Sequence, residues 1–161
     1  MDNIAEPLPR ADWPDFSVYG PHPAAVALRD WLAEASSRTR MLTQFLGNES
    51  PAVPQLQIVN PPLWELGHVA WFQEFWLHRG GNFDAPSILR HADRWYDSAR
   101  VAHATRWSLD LPDWRATRTY FEAVLDRSLS LLDGSPLTEP RAYFAQLAIF
   151  HQDMHNEAFS Y

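Results

Sequence analysis

The chain has 161 residues, 46% of them hydrophobic, which suits one domain with a real core and is short for two. It contains no cysteine, so disulfides, thiolate metal sites and cysteine nucleophiles are excluded, and any metal site must draw on His, Asp, Glu or water. A net charge of -7 with only 13 basic residues leaves no basic stripe of the kind that nucleic acids require.

The opening "MDNIAEPLPRADWPDF" lacks the basic and apolar regions of a signal peptide, and no later segment offers about eighteen uninterrupted apolar residues. The expectation is a soluble, cytoplasmic protein with no membrane partner. Residues 1–21 hold four prolines and little periodicity, and they read as an extended arm. From Pro23, apolar positions at Ala24, Leu28, Trp31, Leu32, Ala35, Leu42, Phe45 and Leu46 recur at three and four, which predicts a first amphipathic helix closed by Gly47. A second helix is announced by "NPPLWELGHVAWFQEFWLHRGG", with Asn60 as N-cap, Pro61 in the first turn and Gly80 just past the end. It is apolar on nearly every side, the pattern of a helix buried among others.

A long connection follows, from Gly80 to about Leu111, with a short helix near "SILRHADRWYDS". The third long helix runs through "LPDWRATRTYFEAVLDRSLSLLDG" on a stripe of Trp114, Thr117, Phe121, Val124, Leu125, Leu129 and Leu132, ending at Gly134. The fourth, "TEPRAYFAQLAIFHQDMHNEAF", starts with Thr138 as cap and Pro140 in its first turn. Four helices with a long link between the second and third make an all-α four-helix bundle of residues 22–161. Eight tryptophans are many for this length. Most suit the core, while Trp13 and Trp31 suit either the core or a surface that a partner covers.

The chemistry concentrates in histidines. On a helix, His151 and His155 are separated by about 40 degrees around the axis, so both imidazoles project to one side. Such a pair holds a divalent metal when a third ligand arrives from another helix, and His68, placed among Leu63, Leu66, Val69, Phe72 and Phe75, is the candidate. The competing reading is that these are ordinary core histidines with satisfied hydrogen bonds. His22, His78, His91 and His103 lie near helix ends or in the link, where solvent or capping roles fit better. Glu65 and His68 form a single Glu-x-x-His, whereas a bundle di-iron site needs two, and HQDMH lacks the general base of HExxH.

"NPPLWELGHVAWFQEFW" followed by "AQLAIFHQDMHNE" resembles the N-terminal DinB-like bundle of the ergothioneine sulfoxide synthase family, from about residue 22 onward. In that family a histidine of a P-x-x-W-x-x-x-H segment and two from an H-x-x-x-H-x-E segment bind iron. The resemblance therefore implies that His68, His151 and His155 hold Fe(II), a face that also accepts Zn or Ni. Glu157 is the glutamate of the second motif, but it lies about 200 degrees from His155 around the helix, away from the metal face. The implied reaction is O2-dependent joining of sulfur to the imidazole of hercynine, with hercynine, O2 and a thiol as partners.

The ergothioneine branch carries several arginines before its third helix that bind the donor's carboxylates. Here "AHATRWSLDLPD" offers Arg106 as the candidate substrate-binding residue, which also leaves room for the selenoneine branch and its selenium donor. The family continues into a C-terminal formylglycine-generating-enzyme-like domain with catalytic groups of its own, and a further domain of that kind is expected beyond this chain. Two other functions compete, a stand-alone DinB-like metal-dependent thiol transferase and a non-catalytic bundle.

Overall fold

In the computed structural model, residue 15 and residues 23–50, 52–134 and 137–160 are described. The expected arm over 1–21, with Trp13, lies outside them except for Asp15, as does His22. The long helices are α1 (Ala25–Thr43), α2 (Pro62–Gln73), α4 (Trp114–Gly134) and α5 (Glu139–Ala158), with a short α3 (Ala92–Tyr96) in the connection. Among the described residues there is no strand, so the architecture is the all-α bundle expected.

Cross-helix contacts fix the directions. Glu65 meets His155, Phe72 stacks on His151 and Trp76 on Phe144, so α2 and α5 are antiparallel. Gln152 donates to Ser36 and Thr39 donates to Asn156, so α5 runs with α1. Arg29 pairs with Asp133 and Arg40 with Glu122, so α4 runs against α1. It follows that α2 and α4 run the same way, and the connection between them must travel back along the bundle.

That return path lies on α2. Arg79 makes two parallel hydrogen bonds to Asp93, at 2.7 and 2.8 Å, and Trp71 Nε1 donates to the same carboxylate at 2.7 Å. Further along, Trp64 Nε1 donates to the Trp95 carbonyl and Arg106 to Asn60 Oδ1. With α4, α5 and the crossover around it, α2 is buried continuously from Trp64 to Trp71, as its uniformly apolar sequence requires. The helix then widens into a π turn over Glu74–His78 and stops where Gly80 and Gly81 adopt positive φ. Buried Glu74 accepts from Tyr120, Ser87 and the Ile88 amide, tying the start of the crossover to α4.

Three local expectations give way to tertiary contacts. Asn60 does not cap α2, because Pro61 takes the cap position and the Asn60 amide instead receives Arg106. The first helix ends at Thr43 rather than running to Gly47; the Thr43 carbonyl accepts the Leu46 amide, and Arg118 of α4 donates to the Thr43 and Leu46 carbonyls. On α1, Leu28, Leu32 and Ala35 are buried as expected and Trp31 is 44% exposed, the surface alternative, whereas Phe45, past the helix end, is 88% exposed. The rest of the buried face is Ser36, Thr39 and Thr43: the hydroxyls of Ser36 and Thr39 form a buried polar seam with Gln152 and Asn156 of α5, and that of Thr43 donates to the Thr39 carbonyl. Small polar residues let two helix backbones approach while the bonds offset the loss of water.

Gly67 is where the crossover presses hardest. A Cβ built there would lie 2.2 Å from ring atoms of Tyr96, a fully buried side chain. Intrinsic propensity favours alanine over glycine inside a helix by about 1 kcal/mol. Here overpacking opposes that gain, so Gly67→Ala should destabilise the protein, by about 1–3 kcal/mol in urea denaturation. A variant as stable as wild type would contradict this packing.

Candidate metal centre

His68 leaves the middle of α2 toward α5, and His151 and His155 leave one face of α5 toward α2. Their ring centroids are 4.4 to 4.9 Å apart, and one nitrogen from each lies within 4.8 Å of the others. These are the three histidines picked out by the sequence. The structure brings them together and keeps Glu157 exposed and outside the cluster.

Each ring is held by a different neighbour. His68 is 3% exposed, stacked on Trp64 with centroids 4.6 Å apart, and its Nδ1 lies 2.7 Å from the Tyr96 carbonyl. A carbonyl only accepts, so Nδ1 carries the proton and Nε2 presents a lone pair. His155 is oriented in the same sense by Glu65, whose Oε1 lies 2.7 Å from Nδ1. His151 is stacked face to face on Phe72 at 3.6 Å, with its Nε2 3.1 Å from His155 Nε2 and its Nδ1 buried without a hydrogen-bond partner.

These observations fit a metal ion. Two nitrogens 3.1 Å apart have the spacing they take when both bind one ion at roughly 2.1 Å near a right angle. Metal binding needs neutral imidazoles. Burial pushes His68 down to about 3, helped by the nearby charge of His155. Burial also pushes His151 down to about 2, helped by His155 and His68. Among the described residues no carboxylate is close enough to join the three histidines, which leaves a nitrogen-rich set suited to Fe, Zn, Ni or Cu rather than Ca or Mg.

The remaining candidates lie elsewhere. Nε2 of His78 is bonded to Ser128 Oγ at 2.8 Å, Nε2 of His103 to the Val59 carbonyl at 2.8 Å, and His91 is exposed against Trp95. Arg106 is half-buried, with its guanidinium 3.9 Å over the Trp64 ring and its NH2 donating to the Val101 carbonyl, while Nε is buried without a partner. It lines a cavity of about 430 Å³ with Leu63, Trp107, Asp110 and Trp114. Sequence reasoning missed two groups that orient the rings. Glu65 carried a usable signal, since a carboxylate inside an apolar helix needs a buried partner. The Tyr96 carbonyl carried none in its own identity, although Gly67 marks the close approach that delivers it.

No family model matches the chain. Among curated proteins it is similar to hercynine oxygenases. It is 35% identical over 136 residues to the one from Mycolicibacterium smegmatis, covering 83% of this chain and 31% of that protein. The hercynine oxygenases of Mycobacterium tuberculosis and Mycolicibacterium thermoresistibile are 30% and 29% identical, covering 78% and 85% of this chain and 29% and 30% of theirs. The chain thus spans about a third of the length of the curated relatives it matches.

The depressed histidines set a pH dependence. Burial holds His78 at about 3 as well, so three histidines refuse protons in the folded metal-free state that they accept near 6.5 when unfolded. Stability is therefore complete above about 6.5 and is lost as pH falls from there toward 3. The urea midpoint of metal-free protein should drop steadily from pH 7 to pH 5, before most carboxylates titrate. A flat profile over that range would show that these rings are not buried neutral.

Proposed function

We propose that this chain is the metal-holding part of a mononuclear non-haem Fe(II), O2-dependent enzyme that joins sulfur or selenium to the imidazole of hercynine, as in the ergothioneine sulfoxide synthase family. The observation that carries the reading is the convergence of three imidazoles from α2 and α5, in a chain similar to proteins named hercynine oxygenase. Residues 22–161 are read as a DinB-like bundle, and His68, His151 and His155 as the ligands. Iron in that face supplies open coordination positions at which O2 and the reactants meet.

The chain's own residues do the preparing. Tyr96 and Glu65 hold the Nδ1 protons of His68 and His155, keeping the Nε2 lone pairs turned inward. Trp64 and Phe72 cover the faces of His68 and His151 and keep water off them. Arg106, which lines the cavity, is assigned to a substrate carboxylate. A formylglycine-generating-enzyme-like domain is read as completing the substrate pocket, in keeping with relatives about three times as long as the matched stretch. Among the described residues no helix is long and apolar enough to cross a membrane, which accords with the cytoplasmic location proposed.

The test loads the whole protein anaerobically with Fe(II), then supplies hercynine, O2 and either a thiol or a selenium donor, and follows the product by mass spectrometry. Wild type should bind one iron and yield a hercynine adduct carrying sulfur or selenium. His68→Ala and His151→Ala should lose the iron, lower turnover at least 100-fold and keep the helical circular dichroism. Iron uptake equal in all three proteins, or turnover that survives both substitutions, would overturn the reading.

A further inference from the structure

Glu65 stands one helical turn before His68 on α2, yet its carboxylate crosses the helix interface to α5. It is 3% exposed, and Oε1 lies 2.7 Å from His155 Nδ1, while Oε2 is buried without a hydrogen-bond partner. A carboxylate buried this deeply loses its hydration, a cost of several kcal/mol that a good partner must offset. His155 is that partner. The nearby guanidinium of Arg106, stacked on Trp64, supplies positive charge on the same side.

We infer that Glu65 is a positioning residue for the metal centre: by accepting the Nδ1 proton of His155 it fixes that ring's tautomer and turns Nε2 toward His68 and His151. An ionised carboxylate accepts and never donates, so the bond determines which nitrogen is protonated. Turning the ring over about its bond to Cβ would set Cδ2 where Nδ1 stands and leave a buried carboxylate unpaired. The three rings are thus anchored unequally: His68 by a backbone carbonyl, His155 by a carboxylate, and His151 by its stack on Phe72 and the contact of its Nε2 with His155, with its Nδ1 unpartnered. An anionic partner makes an imidazole the stronger electron donor, so His155 is the ligand whose bond to a metal Glu65 strengthens. Glu74, the other buried glutamate of this helix, has a different task, since its oxygens are taken by Tyr120, Ser87 and the Ile88 amide.

The inference rests on the metal-centre reading given above, and two readouts separate their failures. The first is the tautomer of His155 in metal-free protein, from long-range nitrogen-proton NMR correlations. The second is Co(II) affinity, by optical titration. Wild type should show the Nδ1-protonated form. Glu65→Ala should lose that form's dominance and bind Co(II) roughly 10–100-fold more weakly. Glu65→Gln keeps an acceptor of the same shape without the charge, so it should retain the tautomer and still bind more weakly than wild type.

Unchanged tautomer and affinity in Glu65→Ala would overturn the inference and leave Glu65 a mere interhelical tie. If Glu65→Ala does not fold, Glu65→Gln with wild-type affinity overturns the anionic role by itself. A wild type that ignores Co(II) while showing the Nδ1-protonated ring overturns the metal reading and leaves the orienting bond standing.

Discussion

Helices α2 and α4 are neighbours that run in the same direction, and the chain between them has to come back along the bundle to make this possible. It does so on the one face of α2 that α4 and α5 leave open. This return strand of the topology turns α2 from an edge helix into a central one, which is why its sequence is apolar all round. It also carries the Tyr96 carbonyl to His68, 28 positions away in sequence, at 2.7 Å. The close approach is possible only because position 67 has no side chain.

The cluster of histidines follows from the same geometry. A helix buried on every side cannot let a histidine reach bulk water, so His68 must be neutral, hydrogen-bonded and directed at another buried group. The antiparallel contact of α2 with α5 places it opposite a pair of histidines one turn apart, and the two aromatic stacks hold the rings against rotation. Burial that would be a liability for a lone charged histidine is an advantage here. It lowers proton affinity, leaves lone pairs available to a soft or borderline cation and keeps the surroundings dry.

Much of this was legible in the sequence. The uniform apolarity of "LWELGHVAWFQEFW" announced a central helix, proline and glycine marked its ends to within a few residues, and the four-residue spacing of His151 and His155 put both rings on one face. The rest depended on contacts that periodicity does not encode. The apolar stripe of the first helix was drawn too far at Phe45, which lies past the helix end and is exposed, while the exposed Trp31 matches the surface alternative. Asn60 looked like a helix cap until Arg106 arrived from 46 positions downstream. Glu65 appeared only as half of an incomplete di-iron motif, because its true partner lies 90 positions away on α5. The errors at Asn60 and Glu65 have one form: a polar side chain was assigned a local role while a distant group claimed it.

The central claim is that His68, His151 and His155 together bind one iron through Nε2. Iron-edge X-ray absorption of the Fe(II)-loaded protein addresses it most directly, because imidazole rings leave a recognisable outer-shell scattering pattern. The account predicts three imidazole nitrogens at roughly 2.1 Å, falling to two or to loss of the iron in His68→Ala. A first shell made only of oxygen, or an imidazole signal that His68→Ala leaves unchanged, would contradict it.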